Sequence, residues 1–334
     1  MIACSISAYP KHSDGAIVEE EQTKAYNCGP SQEVVLVDAN SPIARALPVR
    51  VTITLTDWAS VFELESVVVD SEDSIQGLPG ELRPIRILAI GDSITAGYSD
   101  GSQPVPLGCL NSYPYIAVSR VQAETGRAIE FELVAFPGIT LVAPTPEEAD
   151  EGAGQGMIDR FFHASPWSDE PATLDEQPSI ILIALGTNDD AQDVSPERFA
   201  LTLRAFVQHL RTTYRRSLKH LCILHTFQDF TDELESPSTR EDTITRDLGL
   251  NSASLTLDAS HGVELHKWDI GKCLRKKDTM DGLHPTLSGH GLLGDALEQM
   301  IVPLLGWPRV VHVISCILGP GDHCARVRSN NIFR

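Results

Sequence analysis

Positive charge is scarce in this sequence: 26 Lys and Arg stand against 46 Asp and Glu, a formal net charge of -20 over 334 residues. A field of that sign repels polyanions and offers no basic stripe to follow a phosphate backbone, so no nucleic acid partner is expected. Long apolar runs are missing too. The longest near the end, Val310 to Leu318, is interrupted by His312 and is about half of what spans a bilayer, which excludes a membrane anchor there. Met1 to Pro10 lack the basic start and sustained apolar segment of a secretory signal. The expected location is therefore cytoplasmic, with export open if the true start lies elsewhere. The seven cysteines form no C-x-x-C pair and no zinc-ligand spacing, so no structural metal site is expected. Their odd number leaves at least one thiol unpaired, and Cys222, inside the apolar run Leu221 to Leu224, reads as a buried reduced one.

What is present is enough apolar material, 42% of residues, for one large α/β domain and a smaller module. Residues 1 to about 45 read as polar and irregular. Val51 to Thr56 then alternates apolar and hydroxylated residues with the period of a half-buried strand, and Val61 to Glu65 and Val67 to Val69 continue the β character. An N-terminal β module over 1–80 is expected, with the acidic, Gly- and Pro-containing stretch Asp70 to Pro84 as linker. Beyond it the pattern changes to buried strands followed by helices: Ile85 to Ile90, Phe131 to Phe136, Ile180 to Leu185 and Leu221 to Leu224. That alternation implies a parallel sheet with helices on its faces, over 85–307, with ligands beyond the strand carboxyl ends. Ser195-Pro196 starts one helix, and a stripe from Leu292 to Leu305 marks another that Trp307-Pro308 stops. The tail 308–334 has weak periodicity and no assigned structure.

Three polar motifs fall where such a sheet would place a site. Gly91-Asp92-Ser93-Ile94-Thr95-Ala96-Gly97 directly follows the first buried strand, which exposes a serine hydroxyl and turns its own amide toward a developing oxyanion. Taken alone, Asp-Ser is also an ordinary turn or helix-cap pair. Gly186-Thr187-Asn188-Asp189 follows the third strand, and the Asn188 amide is a candidate oxyanion donor. In Asp281-Gly282-Leu283-His284-Pro285 the histidine is suited to carry a proton to and from Ser93, with Asp281 holding its ring. His290 lies close by, and the choice of His284 rests on its neighbouring aspartate.

The order Ser, Asp, His is that of α/β-hydrolases, but the G-x-S-x-G elbow is absent around Ser93. The three motifs instead resemble blocks I, III and V of the SGNH (GDSL-like) hydrolase superfamily. That resemblance implies a flavodoxin-like three-layer α/β/α domain and a catalytic set of Ser93, Asp281 and His284. It also implies an oxyanion hole of the Ser93 amide, the Gly138 amide in Ala135-Phe136-Pro137-Gly138-Ile139-Thr140, and Asn188. Over roughly 48–306 the chain is most similar to carbohydrate esterase family two, in which a small jelly-roll β module precedes the catalytic domain and acetyl groups are removed from sugars. Pro137 and Asp190 depart from that pattern, which leaves the mechanism in place and the substrate open.

The expected function is hydrolysis of a small, acetyl-type ester on a small molecule or glycan, through an acyl-serine intermediate that requires no metal or organic cofactor, with Trp167 as a sugar-stacking platform. A lipase, lysophospholipase or thioesterase on the same scaffold is the rival within enzymes. The acidic, polar stretch Ala143 to Gly156 argues against it, because a long acyl chain needs an apolar groove. A non-catalytic carbohydrate-binding protein is the rival outside enzymes. The sequence leaves the oligomeric state unassigned.

Overall fold

The computed structural model describes residues 1–8, 22–38, 49–56, 62–69, 84–99, 105–143, 145, 155–164, 168–172, 177–225, 227 and 262–306. Trp167, most of the polar stretch 143–156 and the tail 308–334 lie outside them.

Two sheets are present. The smaller is antiparallel, with β1 (Ile2–Ala8) between β2 (Gln22–Tyr26) and β3 (Val49–Leu55). The expectation that residues 1–45 are irregular is therefore corrected. In β1, Ile2, Cys4 and Ile6 alternate along the strand and are buried, and Ala3 is buried on the other face. That short alternation is a strand signal that the neighbouring polar residues conceal. Conversely, 62–69 carries no strand, although its composition is β-like, and Val67 and Val68 are exposed. β propensity without a paired neighbour does not hold an extended segment in a sheet. The small sheet meets the rest of the chain at Thr56, whose carbonyl accepts the Cys109 N–H at 3.4 Å.

The larger sheet is parallel throughout: β4 (Ile85–Gly91), β5 (Ile129–Ala135), β6 (Ile180–Ala184), β7 (His220–Leu224) and β8 (Glu264–Trp268), in the order β5-β4-β6-β7-β8. Both faces of the central strands are covered, so β6 is apolar throughout, and β4 and β7 are apolar except for Arg86 and His220 near their amino ends. Leu88, Ile90, Ile181, Ile183, Leu221 and Ile223 pack on one face against Met157 of the short helix α3 (Met157–Arg160) and Phe199, Leu203, Phe206, Val207 and Leu210 of α5 (Pro196–Thr213). The alternate residues Ile87, Ala89, Ile180, Leu182 and Cys222 pack on the other against α2 (Tyr113–Thr125) and α6 (Leu287–Leu304). Each fully buried Leu or Ile stabilises the fold by about 2 kcal/mol, so these stripes hold the three layers together. The expected helix starts hold: Ser195 caps α5 by accepting the Arg198 N–H at 3.3 Å. Cys222 is buried and unpaired, and burial pushes its thiol far above its ordinary range.

β8 is the strand the sequence pattern did not single out. Its residues, Glu264-Leu265-His266-Lys267-Trp268, mix three charged or polar side chains with two apolar ones, the composition of an edge strand rather than a central one. The chain runs from β4 outward to β5 and then returns to the other side of β4 for β6. That reversal opens a crevice beyond the carboxyl ends of β4 and β6, where parallel sheets bind ligands.

Candidate active site

All three motifs empty into this crevice. β4 ends at Gly91, and the chain turns at once into the single-turn helix α1 (Ser93–Ala96). Asp92 caps it, its Oδ1 accepting the Ile94 N–H at 3.0 Å. The turn is so tight that a Cβ on Gly91 would lie 2.2 Å from the Thr95 hydroxyl, which is why glycine stands there.

Ser93 Oγ lies 2.9 Å from His284 Nε2, across 191 positions of sequence. His284 Nδ1 in turn lies 2.6 Å from Asp281 Oδ2. The other carboxylate oxygen of Asp281 accepts the backbone N–H groups of Leu283 and His284, at 3.0 and 2.8 Å. Partial burial alone would raise the Asp281 carboxyl, but the His284 ring and these two amides hold it down to about 2. An ionised Asp281 only accepts, so the proton between them sits on His284 Nδ1, and Nε2 presents its lone pair to the Ser93 hydroxyl. The loop is pinned at its base by the Met280 N–H to the His284 carbonyl (2.8 Å) and the Thr286 N–H to the Asp278 carbonyl (2.9 Å). Thr286 then caps α6. Tyr98, directly after the first motif, stands beside His284, its ring centroid 4.9 Å away.

His290 is placed elsewhere. It is fully buried on α6, and its Nδ1 accepts the Tyr113 N–H at 3.3 Å, satisfying a donor that the first turn of α2 leaves open. Burial, and then the charge of His284, lower it to about 4, so it stays neutral. Asp92 is buried as well, and its Oδ2 has no hydrogen-bond partner among the described residues. Burial raises it to about 6, against the amide of Ile94 and the charge of His284.

The loop after β5 starts beside the end of β4, where the Phe136 N–H donates to the Gly91 carbonyl at 3.2 Å. Pro137 and Gly138 are the central residues of a turn closed by the Ile139 N–H to the Phe136 carbonyl at 3.2 Å, with Gly138 at φ 79°. A turn with Pro first and a left-handed Gly second is of type II, which accounts for Pro137. The tetrad after β6 holds this loop in place. Asn188, in α4 (Thr187–Ala191), donates from Nδ2 to the Ile139 carbonyl at 2.8 Å. The buried Asp189 carboxylate accepts the N–H groups of Leu141 and Val142 at 2.9 and 3.0 Å. Arg198 donates to the Ala143 carbonyl at 2.6 Å. Asp189 is thus a support that sequence reading missed; a third polar residue after a strand gives no sign of which distant amides it will receive. Among the described residues nothing accepts the backbone N–H of Ser93 or Gly138, or the second Nδ2 hydrogen of Asn188.

The model of the GDSL-like Lipase/Acylhydrolase family matches residues 89–292, more than half of the chain and all three motifs. Among solved structures, similarity is found to a family two carbohydrate esterase from Clostridium thermocellum in complex with cellohexaose. The identity is 19%, the TM-score 0.50, and the match covers 70% of this chain and 68% of that one. An active-site mutant of a family two carbohydrate esterase from the same organism matches at 19% and 0.50, over 69% of this chain and 66% of that one. A carbohydrate esterase family 2 enzyme with a carbohydrate binding domain, from Myceliophthora fergusii, matches at 21% identity and TM-score 0.49, over 69% of each chain. This chain therefore spans about two thirds of the length of these proteins, and at such identities the likeness is one of fold. A search of curated proteins gives no match.

Proposed function

The chain belongs to the GDSL-like lipase/acylhydrolase family and is a carboxylic ester hydrolase, and from that premise we propose that Ser93, His284 and Asp281 carry out the hydrolysis. The observation that supports this most is the continuous chain of contacts from Ser93 Oγ through His284 to Asp281, at 2.9 and 2.6 Å. Ser93 Oγ attacks the ester carbonyl while His284 Nε2 takes its proton. The imidazolium, steadied by Asp281, then returns that proton to the departing alkoxide, leaving an acyl group on Ser93. Water enters by the same route and releases the acid. The negative oxygen of each tetrahedral intermediate is held by the Ser93 and Gly138 amides and the free Asn188 hydrogen. The catalytic unit comprises 85–307, with the N-terminal module in 1–80.

The substrate we propose is a small acyl, acetyl-type ester on a carbohydrate, with Trp167 as platform. The structural likeness to family two carbohydrate esterases and the acidic composition of the stretch 143–156 support this choice over a long-chain lipid. A shallow acyl pocket rejects longer chains by overlap with its walls. Activity on p-nitrophenyl esters is expected to fall steeply from acetate through butyrate to octanoate, acetylated xylose to release acetate, and Ser93→Ala to abolish both activity and fluorophosphonate labelling. Equal or rising activity on octanoate would discard the carbohydrate reading, and labelling that survives in Ser93→Ala would discard the nucleophile.

A further inference from the structure

At the opposite end of the sheet from Ser93, the first residues of β7 and β8 bring together three groups that catalysis does not use. His220 pairs in register with Glu264, and Cys222 with His266, so the side chains of His220, Glu264 and His266 share one face of the sheet. His220 Nδ1 lies 3.2 Å from His266 Nε2 and 3.4 Å from Glu264 Oε2, and His266 Nε2 lies 3.7 Å from the same oxygen. Three donor atoms thus form a nearly equilateral triangle. In a tetrahedral zinc site with ligands at 2.0–2.1 Å, simple trigonometry separates any two ligand atoms by about 3.3 Å. The observed triangle has the edge length of such a tetrahedron's face. A His–His hydrogen bond accounts for one edge and a His220–Glu264 ion pair for a second, whereas a single metal ion accounts for all three donor atoms facing one another.

We propose that His220, Glu264 and His266 bind a divalent transition-metal ion, best suited to Zn2+, that fastens the edge strand β8 to β7. Two imidazoles and one carboxylate are a borderline-soft nitrogen and oxygen set, which favours zinc over magnesium or calcium. Both rings are mostly shielded from water, with side-chain exposures of 15% and 22%, and the more exposed Glu264 leaves a path for the ion to enter. The fourth position is open to water. His220 and His266 are 46 positions apart, so the ion would close a long connection, where a cross-link removes the most chain entropy. The site lies one strand length, roughly 15 Å, from the carboxyl ends of the sheet, and its role is structural.

The test uses full-length protein freed of metal by chelation, titrated with ZnCl2 by calorimetry and melted with and without Zn2+. One ion per chain is expected, with Tm rising about 5 °C or more at saturating metal. His266→Ala should weaken binding by about a hundredfold and Glu264→Gln by about tenfold, each losing the rise in Tm while matching the wild-type melt in chelator. Glu264→Gln alters an exposed side chain, so it decides the matter if His266→Ala fails to fold. His284→Ala separates this site from adventitious zinc at the catalytic histidine and should bind Zn2+ like wild type. Absence of one-to-one binding, unchanged affinity in both site variants, or loss of binding in His284→Ala would each overturn the proposal.

Discussion

Two buried groups behind Ser93 pull stability in opposite directions with pH, and removing one should expose the other. Asp92 has its folded value raised to about 6 from an ordinary 3.8. Between those values the folded protein holds a proton that the unfolded chain has released, so stability falls as pH rises through the interval, and the full penalty is present above about 6. Two pH units correspond to about 3 kcal/mol. His290, lowered to about 4 from 6.5, acts in the reverse sense. Between those values the unfolded chain binds the proton, and stability rises with pH until about 6.5. The two terms nearly cancel in the wild type. Asn in place of Asp92 keeps the cap, since its carbonyl oxygen can still accept the Ile94 N–H, but it carries no charge to desolvate. Asp92→Asn should therefore gain about 3 kcal/mol at pH 7.5 but only about 1 kcal/mol at pH 4.5, so that the variant becomes more acid-sensitive than the wild type through the His290 term. Urea unfolding followed by circular dichroism at the two pH values measures this. A variant less stable than wild type at pH 7.5, or one with the same difference between the two pH values as wild type, would refute the reasoning and show that Asp92 Oδ2 is well solvated when ionised.

The remaining expectations concern chemistry. Asp281→Asn should lower kcat by about 10³–10⁴ with little loss of fold, as in the serine-protease triad, because the amide still accepts from the Leu283 and His284 backbone through Oδ1 but no longer fixes the proton on Nδ1; a stopped-flow esterase assay checks it, and near-wild-type turnover would remove Asp281 from the relay. Asn188→Ala should lower kcat about a hundredfold with KM nearly unchanged if its free hydrogen serves the transition state. A loss confined to KM would make it a positioning residue for substrate or for the Ile139 loop it also holds.

How much of this was legible without coordinates follows from the range over which each signal acts. A central parallel strand buried on both faces is predominantly apolar, and the polar residues that follow it are its carboxyl-end loop. Ile85 to Ser93 and Ile180 to Asp189 therefore announced both strands and both site loops from contiguous residues. Asp281 and His284 are three positions apart, and their contact is as local as a turn. What the linear pattern could not decide was which distant partner each polar group would find. β8 and β1 are short strands whose patterns are matched by many loops, and only pairing identifies them. Asp189 became the anchor of the loop after β5, and His290 the acceptor for the first turn of α2, because packing brought amides 47 and 177 positions away within reach. His220 and His266 likewise carry no ligand spacing in sequence, and the parallel register of two strands sets their nitrogens side by side. Apolar periodicity is written residue by residue, because burial is a property each side chain has toward one face. Hydrogen-bond and ligand partnership is a relation between two positions, and chain order does not contain it until the layers have closed.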